Sequence, residues 1–184
     1  MSSSPAHPAC CLGFLTVVQN AELGLLGGYL LLNVAGRPLE FHCTAPVKSN
    51  RTQQILYGTT LLPYLYGEQI GQTLLTRSKL TPLVVFTDSE PMLSARDFVP
   101  TPLVLVLPTN SPALPTSPSP CSSPCSSPFA LARAQVTTAR HYSSDQQAVL
   151  DAWPPQADCL DLSEPFQRIH EALDEAQKNA RQAA

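Results

Sequence analysis

Apolar and polar positions follow two different rhythms along this chain, and the rhythm changes near residue 50. Before that point a period of two predicts strands. From Leu12 to Gln19, Phe14, Thr16 and Val18 alternate with Leu15, Val17 and Gln19, and β-branched side chains favour the extended backbone. From Gly28 to Val34 both alternating faces are apolar except at Asn33, which places this strand inside a sheet. Ala35 and Gly36 form the turn into a third strand running to Thr44, with Pro38 at its start, where the missing amide is tolerated. There Leu39, Phe41 and Cys43 share one face and Glu40, His42 and Thr44 the other. The apolar set is expected to face the core and to bury Cys43 as an inert thiol.

After residue 50 the period becomes helical. Asn50 is the predicted N-cap, Gly58 the break, and Thr60 the cap of a second segment, with Pro63 in its first turn. Leu61, Leu62, Leu65, Ile70 and Leu74 keep helical spacing as far as about Ser78. Strands are predicted again at Leu83 to Thr87 and Leu103 to Leu107, separated by a turn at Asp88, Ser89, Glu90 and Pro91. A strand from Ala132 to Arg140 and a short helix capped by Ser144 or Asp145 follow. The last element, Asp161 to Ala180, is a helix with Leu162, Phe166, Ile169, Leu173, Ala176 and Ala180 on one face and a Glu164–Arg168 pair on its surface. Fewer than three heptads favour docking on the sheet over a homodimer through this helix.

These elements predict an α+β fold: an antiparallel sheet of five to six strands with helices packed on one face. Residues 12–107 and 129–184 form one domain, preceded by a flexible N-terminus, 1–11. Between the two parts, 108–128 is rich in Pro and Ser and has no charged residue, so it reads as a disordered linker or loop. The hairpin GYLLLNVAGRPLEF resembles the sheet-start pattern of roadblock and related profilin-like modules, a resemblance that implies a fold and no functional residue.

Composition narrows the function classes. With 19 prolines and only 14% charged residues, part of the chain is expected to lie outside a packed core. A net charge of −3 with 11 scattered Lys and Arg residues argues against a nucleic-acid partner. The N-terminus has no basic region of the kind that opens a secretory signal, and Gly24 to Leu32 is too short to span a bilayer. The expectation is a soluble cytoplasmic protein without a membrane partner and with its six cysteines reduced.

No motif names a reaction. Cys121 and Cys125 have no second pair of ligands, so no metal is expected. The glycines at 24, 27, 28 and 36 match no phosphate loop or dinucleotide fingerprint, so no cofactor is expected either. His42 and Cys43 point to opposite faces and cannot activate one another. The leading reading is therefore a non-enzymatic interaction or scaffold module for a protein partner, whose surface would use Glu40, His42, Tyr57, Tyr64, Tyr66 and Glu68. The alternative is a small enzyme with a site assembled from dispersed polar residues in a cleft between sheet and helix, where His42, Glu40 and Glu68 are the first candidates.

Overall fold

The computed structural model describes residues 10–108 and 125–182. A meander of β1 (Cys11–Asn20), β2 (Gly24–Asn33) and β3 (Pro38–Cys43) leads into a helical run. That run comprises α1 (Arg51–Tyr57), a tight turn at Gly58–Thr60, α2 (Leu61–Pro63), a π-helical stretch Tyr64–Gln72 and α3 (Thr73–Arg77). Then come β4 (Val84–Thr87), a 3₁₀ segment Glu90–Phe98, β5 (Leu103–Val106), the hairpin of β6 (Phe129–Leu131) and β7 (Ala134–Thr138), α4 (Ser144–Ala152) and α5 (Glu164–Gln182). The predicted break is real: Asn50 and Gln53 form a reciprocal capping box, and Gly58 ends α1 with a positive φ of 51°. Thr60 does not cap the next segment; its hydroxyl donates to the Tyr57 carbonyl at 2.8 Å.

All seven strands form one sheet in the order β3-β2-β1-β4-β5-β7-β6. The predicted antiparallel sheet is thus corrected to a mixed one, because β1, β4 and β5 run parallel at its centre. The physical reason is the crossover through the helical run, which returns the chain to the far side of β1 so that β4 enters in the same direction. Helices also cover both faces rather than one. Leu12, Phe14, Leu30, Phe86 and Val104 pack with Leu162, Phe166, Ile169 and Leu173 on the α5 side. On the other side, Leu15, Leu31, Val85 and Leu103 pack with Leu65, Ile70, Leu74, Met92 and Leu93. A sheet buried on both faces requires strands that are apolar on both faces, as β2, β4 and β5 are.

Two adjacent glycines let helices approach both sides of β2. A Cβ at Gly27 would lie 2.2 Å from Ile70 Cγ2, and one at Gly28 would lie 2.3 Å from Ile169 Cγ2. Ile70 and Ile169 therefore sit directly on the β2 backbone, on opposite faces of the sheet.

Sequence and structure also part at three other elements. The strand predicted from Ala132 to Arg140 is present as β7, and a further strand the sequence did not show, β6, precedes it to make a hairpin turned at Ala132, whose φ is 51°. Asp145 is not a cap: it is buried and paired with Arg96, Nε to Oδ2 at 2.7 Å and Nη2 to Oδ1 at 3.1 Å. The Tyr142 ring lies 4.4 Å from that guanidinium, so the 3₁₀ segment and α4 are held together by a two-pronged ion pair under an aromatic face. The terminal helix starts at Glu164 rather than Asp161; Leu162 just before it and Phe166, Ile169 and Leu173 on it are buried as the spacing predicts and dock on the sheet, whereas Ala176 is exposed.

The faces of β3 are reversed relative to expectation. Leu39 and Phe41 are 41% and 40% exposed and Cys43 is exposed, while Glu40 and His42 are half-buried. Pairing places Glu40 beside Leu31 and His42 beside Tyr29, on the face covered by the helical run; α5 covers the other face over β1 and β2. Of the Pro/Ser-rich segment, 109–124 lies outside the described residues, as do 1–9 and the Cys121 of the cysteine pair. Residues 125–128 lie against β7: Cys125 bridges to Ala139, and the Ser126 amide donates to the Thr138 carbonyl at 2.8 Å. Among the described residues no helix is long and apolar enough to cross a membrane.

Two outcomes follow from this packing. Gly28→Ala forces Ile169 and its helix away from β2, and urea titration is expected to show about 1–3 kcal/mol of destabilisation, typical of overpacking; an unchanged midpoint would contradict the close approach. Iodoacetamide applied to the native protein should alkylate the exposed Cys43 and Cys159 and spare the buried Cys11. Peptide mapping that finds Cys43 protected and Cys11 modified would reverse the assignment of faces.

Candidate functional site

The sheet creates one location where polar groups converge. From β1 the chain adds β2 and β3 on one side, then crosses to add β4 and β5 on the other, so the strand order reverses between β1 and β4. In open sheets with parallel strands, ligand crevices form at the carboxyl ends of the strands at such a reversal. Thr16, in the carboxyl half of β1, and Asp88, directly after β4, flank that position. His170 reaches it from α5.

The geometry is tight. Thr16 is fully buried, and its hydroxyl donates to Asp88 Oδ1 at 2.7 Å. His170 Nε2 lies 3.4 Å from the same hydroxyl oxygen and 3.9 Å from Asp88 Oδ2. Because the threonine proton is directed to the carboxylate, its oxygen can accept from His170 only if Nε2 carries the imidazole proton. The side chains of Asp88 and His170 remain 33% and 47% accessible, so the pair meets solvent while the threonine that anchors it does not. Tyr66, on the π-helical stretch that covers the opposite face of the sheet, has its phenol held above its ordinary pKa by burial and, secondarily, by the negative charge of Asp88. Further along β1, the Asn20 amide donates to Gln177 Oε1 at 3.0 Å, a second polar link from β1 to α5.

His170 reaches this position because of Gly28. That glycine pairs with Thr16 across β1 and β2, and Ile169 packs over it, so the next residue of α5 comes down beside Thr16.

The residues proposed from sequence are divided among separate places. Glu40 and His42 meet on β3, Oε2 to Nε2 at 3.0 Å, and the same carboxylate oxygen accepts from the Ser78 hydroxyl and the Lys79 amide, both at 3.2 Å. The hydrogen bond from His42 is the main reason that Glu40 titrates below the usual carboxylate range, with the Lys79 and Ser78 bonds adding to it against a smaller cost of burial. Tyr57 and Tyr64 stack with centroids 4.3 Å apart on the outside of the helical run, and Tyr64 accepts a hydrogen bond from Gln69. Glu68 is exposed beside them. Of the six, Tyr66 is linked to the site through the charge of Asp88 alone. Sequence reasoning missed Thr16, Asp88 and His170; the available signal was a carboxylate placed immediately after a strand apolar on both faces.

Among the described residues, no group of three or more His, Cys, Asp or Glu side chains could hold a metal ion. Asp88 supplies one carboxylate and His170 one imidazole.

No protein-family model matches the chain, and no curated protein matches it in sequence. Solved structures do share its fold. Endonuclease V of Ciona intestinalis, a variant in complex with a 23mer DNA containing an inosine followed by a ribo-adenosine, superposes with a TM-score of 0.54 at 11% identity, over 92% of this chain and 86% of that one. Human endonuclease V gives 0.52 at 15% identity, over 97% and 89%. At such identities the likeness establishes the fold alone. It corrects the expectation of a non-enzymatic scaffold with protein binding as its role, and the expectation that nucleic acid is not a partner: the architecture is one on which DNA-bound nucleases are built.

The Glu40 network has a pH consequence. A carboxylate whose folded-state pKa is depressed contributes stability above its unfolded pKa and loses it as pH falls through the folded value. Stability curves of the native protein and Glu40→Gln should therefore differ near neutrality and converge in acid, below the ordinary carboxylate range. A constant gap between them down to the acid limb would remove the assigned role of Glu40.

Proposed function

We propose that this protein acts on nucleic acid and hydrolyses its phosphodiester backbone at the Thr16–Asp88–His170 site. The observation that carries the reading is the solvent-facing carboxylate–imidazole pair, 3.9 Å apart, at the carboxyl ends of β1 and β4 where the strand order reverses. The fold shared with endonuclease V supports it by analogy.

In this mechanism Asp88 accepts the proton of the attacking water as its oxygen bonds to phosphorus. His170, in its imidazolium form, turns Nε2 from Thr16 to the leaving oxygen and protonates it as its bond to phosphorus breaks, returning to the neutral imidazole. Thr16 is a positioning residue: its hydroxyl fixes one oxygen of Asp88 and leaves the other to the substrate side. Magnesium is commonly held by one or two carboxylates together with substrate phosphates. Asp88 is a single carboxylate with one oxygen already bonded to Thr16, so a magnesium ion would be held here only with substrate phosphates completing its oxygen ligands, and the chemistry it would supply is neutralisation of phosphate charge. The scarcity of further acidic groups favours a second reading, in which the chain binds nucleic acid without cutting it.

The test is strand cleavage of end-labelled DNA and RNA, with and without magnesium and including inosine-containing 23mers, as in the Ciona complex. Cleavage is expected, with Asp88→Asn lowering kcat by about 10²- to 10⁴-fold, the usual worth of a general base. Thr16→Val should lower kcat by a smaller factor without changing KM. Saturable binding with intact strands selects the second reading; neither binding nor cleavage of any of these polymers would defeat both.

A further inference from the structure

Among the described residues the sheet ends at β3, whose outer edge pairs with no strand. Hydrogen-bond parity fixes what that edge presents. The Thr44 amide donates to the Gly27 carbonyl at 3.0 Å, and the same register runs on through Cys43–Gly28, His42–Tyr29, Phe41–Leu30 and Glu40–Leu31. Hydrogen-bonded and non-hydrogen-bonded pairs alternate in an antiparallel ladder, so the main-chain groups of Glu40 and His42 face β2 while those of Phe41 and Cys43 face away from the sheet. A row of unpaired amides and carbonyls is a template for another strand. The features that blunt such an edge, Pro38 and the register shift opposite Leu31 and Leu32, lie only at its start. Leu39 to Cys43 contains neither proline nor lysine.

The side chains define which strand fits. On the face that α5 leaves uncovered, Leu39 and Phe41 are 41% and 40% exposed and Cys43 is exposed. On the other face stand Glu40 and His42, and the three hydrogen bonds to Glu40 all fall on Oε2, which leaves Oε1 to a donor from outside. A complementary strand is therefore apolar on one face and, on the other, sets a donor opposite Glu40 and an acceptor opposite His42. β3 itself meets that description. Two copies paired antiparallel about Phe41 place Phe41 opposite Phe41, Leu39 opposite Cys43 and Glu40 opposite His42. Sliding the register by two residues either way sets Glu40 against Glu40 or His42 against His42, and like groups of one charge directly opposite each other disfavour pairing.

We propose that β3 is the interface of a homodimer, in which two copies pair antiparallel about a two-fold axis at Phe41 and join their sheets into one. The contact is isologous, each copy offering the same surface to the other. Main-chain hydrogen bonds from Phe41 and Cys43 supply the pairing, Leu39, Phe41 and Cys43 of both copies cover one another on the α5 side, and the Glu40–His42 crossings on the opposite face select the register. This surface shares no residue with the Thr16–Asp88–His170 cluster, so its failure would leave the nuclease reading untouched.

Light scattering of the full-length protein at about 100 µM, a concentration at which even a small interface populates its complex, should return twice the chain mass. Alkylation supplies a second readout. Cys43 is open to iodoacetamide in the dilute protein, and its reaction is expected to slow as concentration rises, while that of the exposed Cys159, outside the interface, does not change. The register is tested by Leu39→Cys: mild oxidation should link it to Cys43 of the second copy, whose Cα in a directly opposed pair lies within disulfide reach at about 5.5 Å. Within one chain the two residues stand about 13 Å apart along the strand and cannot bond. Phe41→Lys, a charge at the centre of the edge, is expected to weaken the dimer at least tenfold with an unchanged urea midpoint. Should that variant fail to fold, Cys43→Lys on the same exposed face is expected to weaken the dimer likewise. A monomer at about 100 µM, alkylation of Cys43 as indifferent to concentration as that of Cys159, no link between residues 39 and 43 of two copies, or undiminished dimerisation in a folded lysine variant would each overturn the proposal.

Discussion

The architecture depends on the close approach of two helices to β2 at Gly27 and Gly28. Successive residues of a strand face opposite sides, so a glycine pair removes the side chain from both faces at one level. Ile70 and Ile169 occupy the two spaces. With alanine at either position the corresponding helix would have to move outward, because a contact near 2.2–2.3 Å cannot be absorbed by small adjustments in a close-packed interior. The consequence reaches beyond packing. Ile169 fixes the depth of α5, and that depth decides whether His170 lies beside Thr16 or out of hydrogen-bond range.

Much of the fold can be read directly from the chain. The strands at Leu12, Gly28, Pro38, Leu83 and Leu103, the capped and broken helix after Asn50, and the terminal helix all reappear, since each is specified by a local pattern that tertiary packing reinforces. Strand direction is not local. Nothing within Val84–Thr87 says whether it runs with or against β1; that follows from the crossover that delivers it. The informative residues were those of β2, β4 and β5, whose apolarity on both faces is characteristic of strands buried between two layers of helices.

The reversal of β3 shows a different limit. Alternation proves that a strand has two unlike faces and, in an interior strand, also tells which one is buried. At an edge the balance changes, because coverage depends on how far the neighbouring helices extend. Here the helical run covers the face of Glu40 and His42, and their polarity is accommodated by pairing with each other and with Ser78 and Lys79. Leu39 and Phe41 are left on the side that α5 does not cover. Two charged-capable residues half-buried beside two exposed apolar ones looks inverted from sequence, but Glu40 Oε2 and His42 Nε2 are hydrogen-bonded, and satisfaction rather than polarity decides whether burial is tolerable.

The site was illegible for a related reason. Thr16 and Asp88 are 72 residues apart and Thr16 and His170 are 154 apart, so no motif contains any two of them. Taken one at a time, they read as a strand threonine, a turn aspartate and a surface histidine on an amphipathic helix. Their meaning is set by topology, since the reversal of strand order falls between β1 and β4, the position where open sheets with parallel strands form ligand crevices. A buried threonine that spends its only proton on a carboxylate at such a crevice has little structural purpose there, where valine would fill the same volume without a hydroxyl to satisfy. The polar link is better explained by what it orients: Asp88 is held with one oxygen fixed and the other turned toward His170 and solvent.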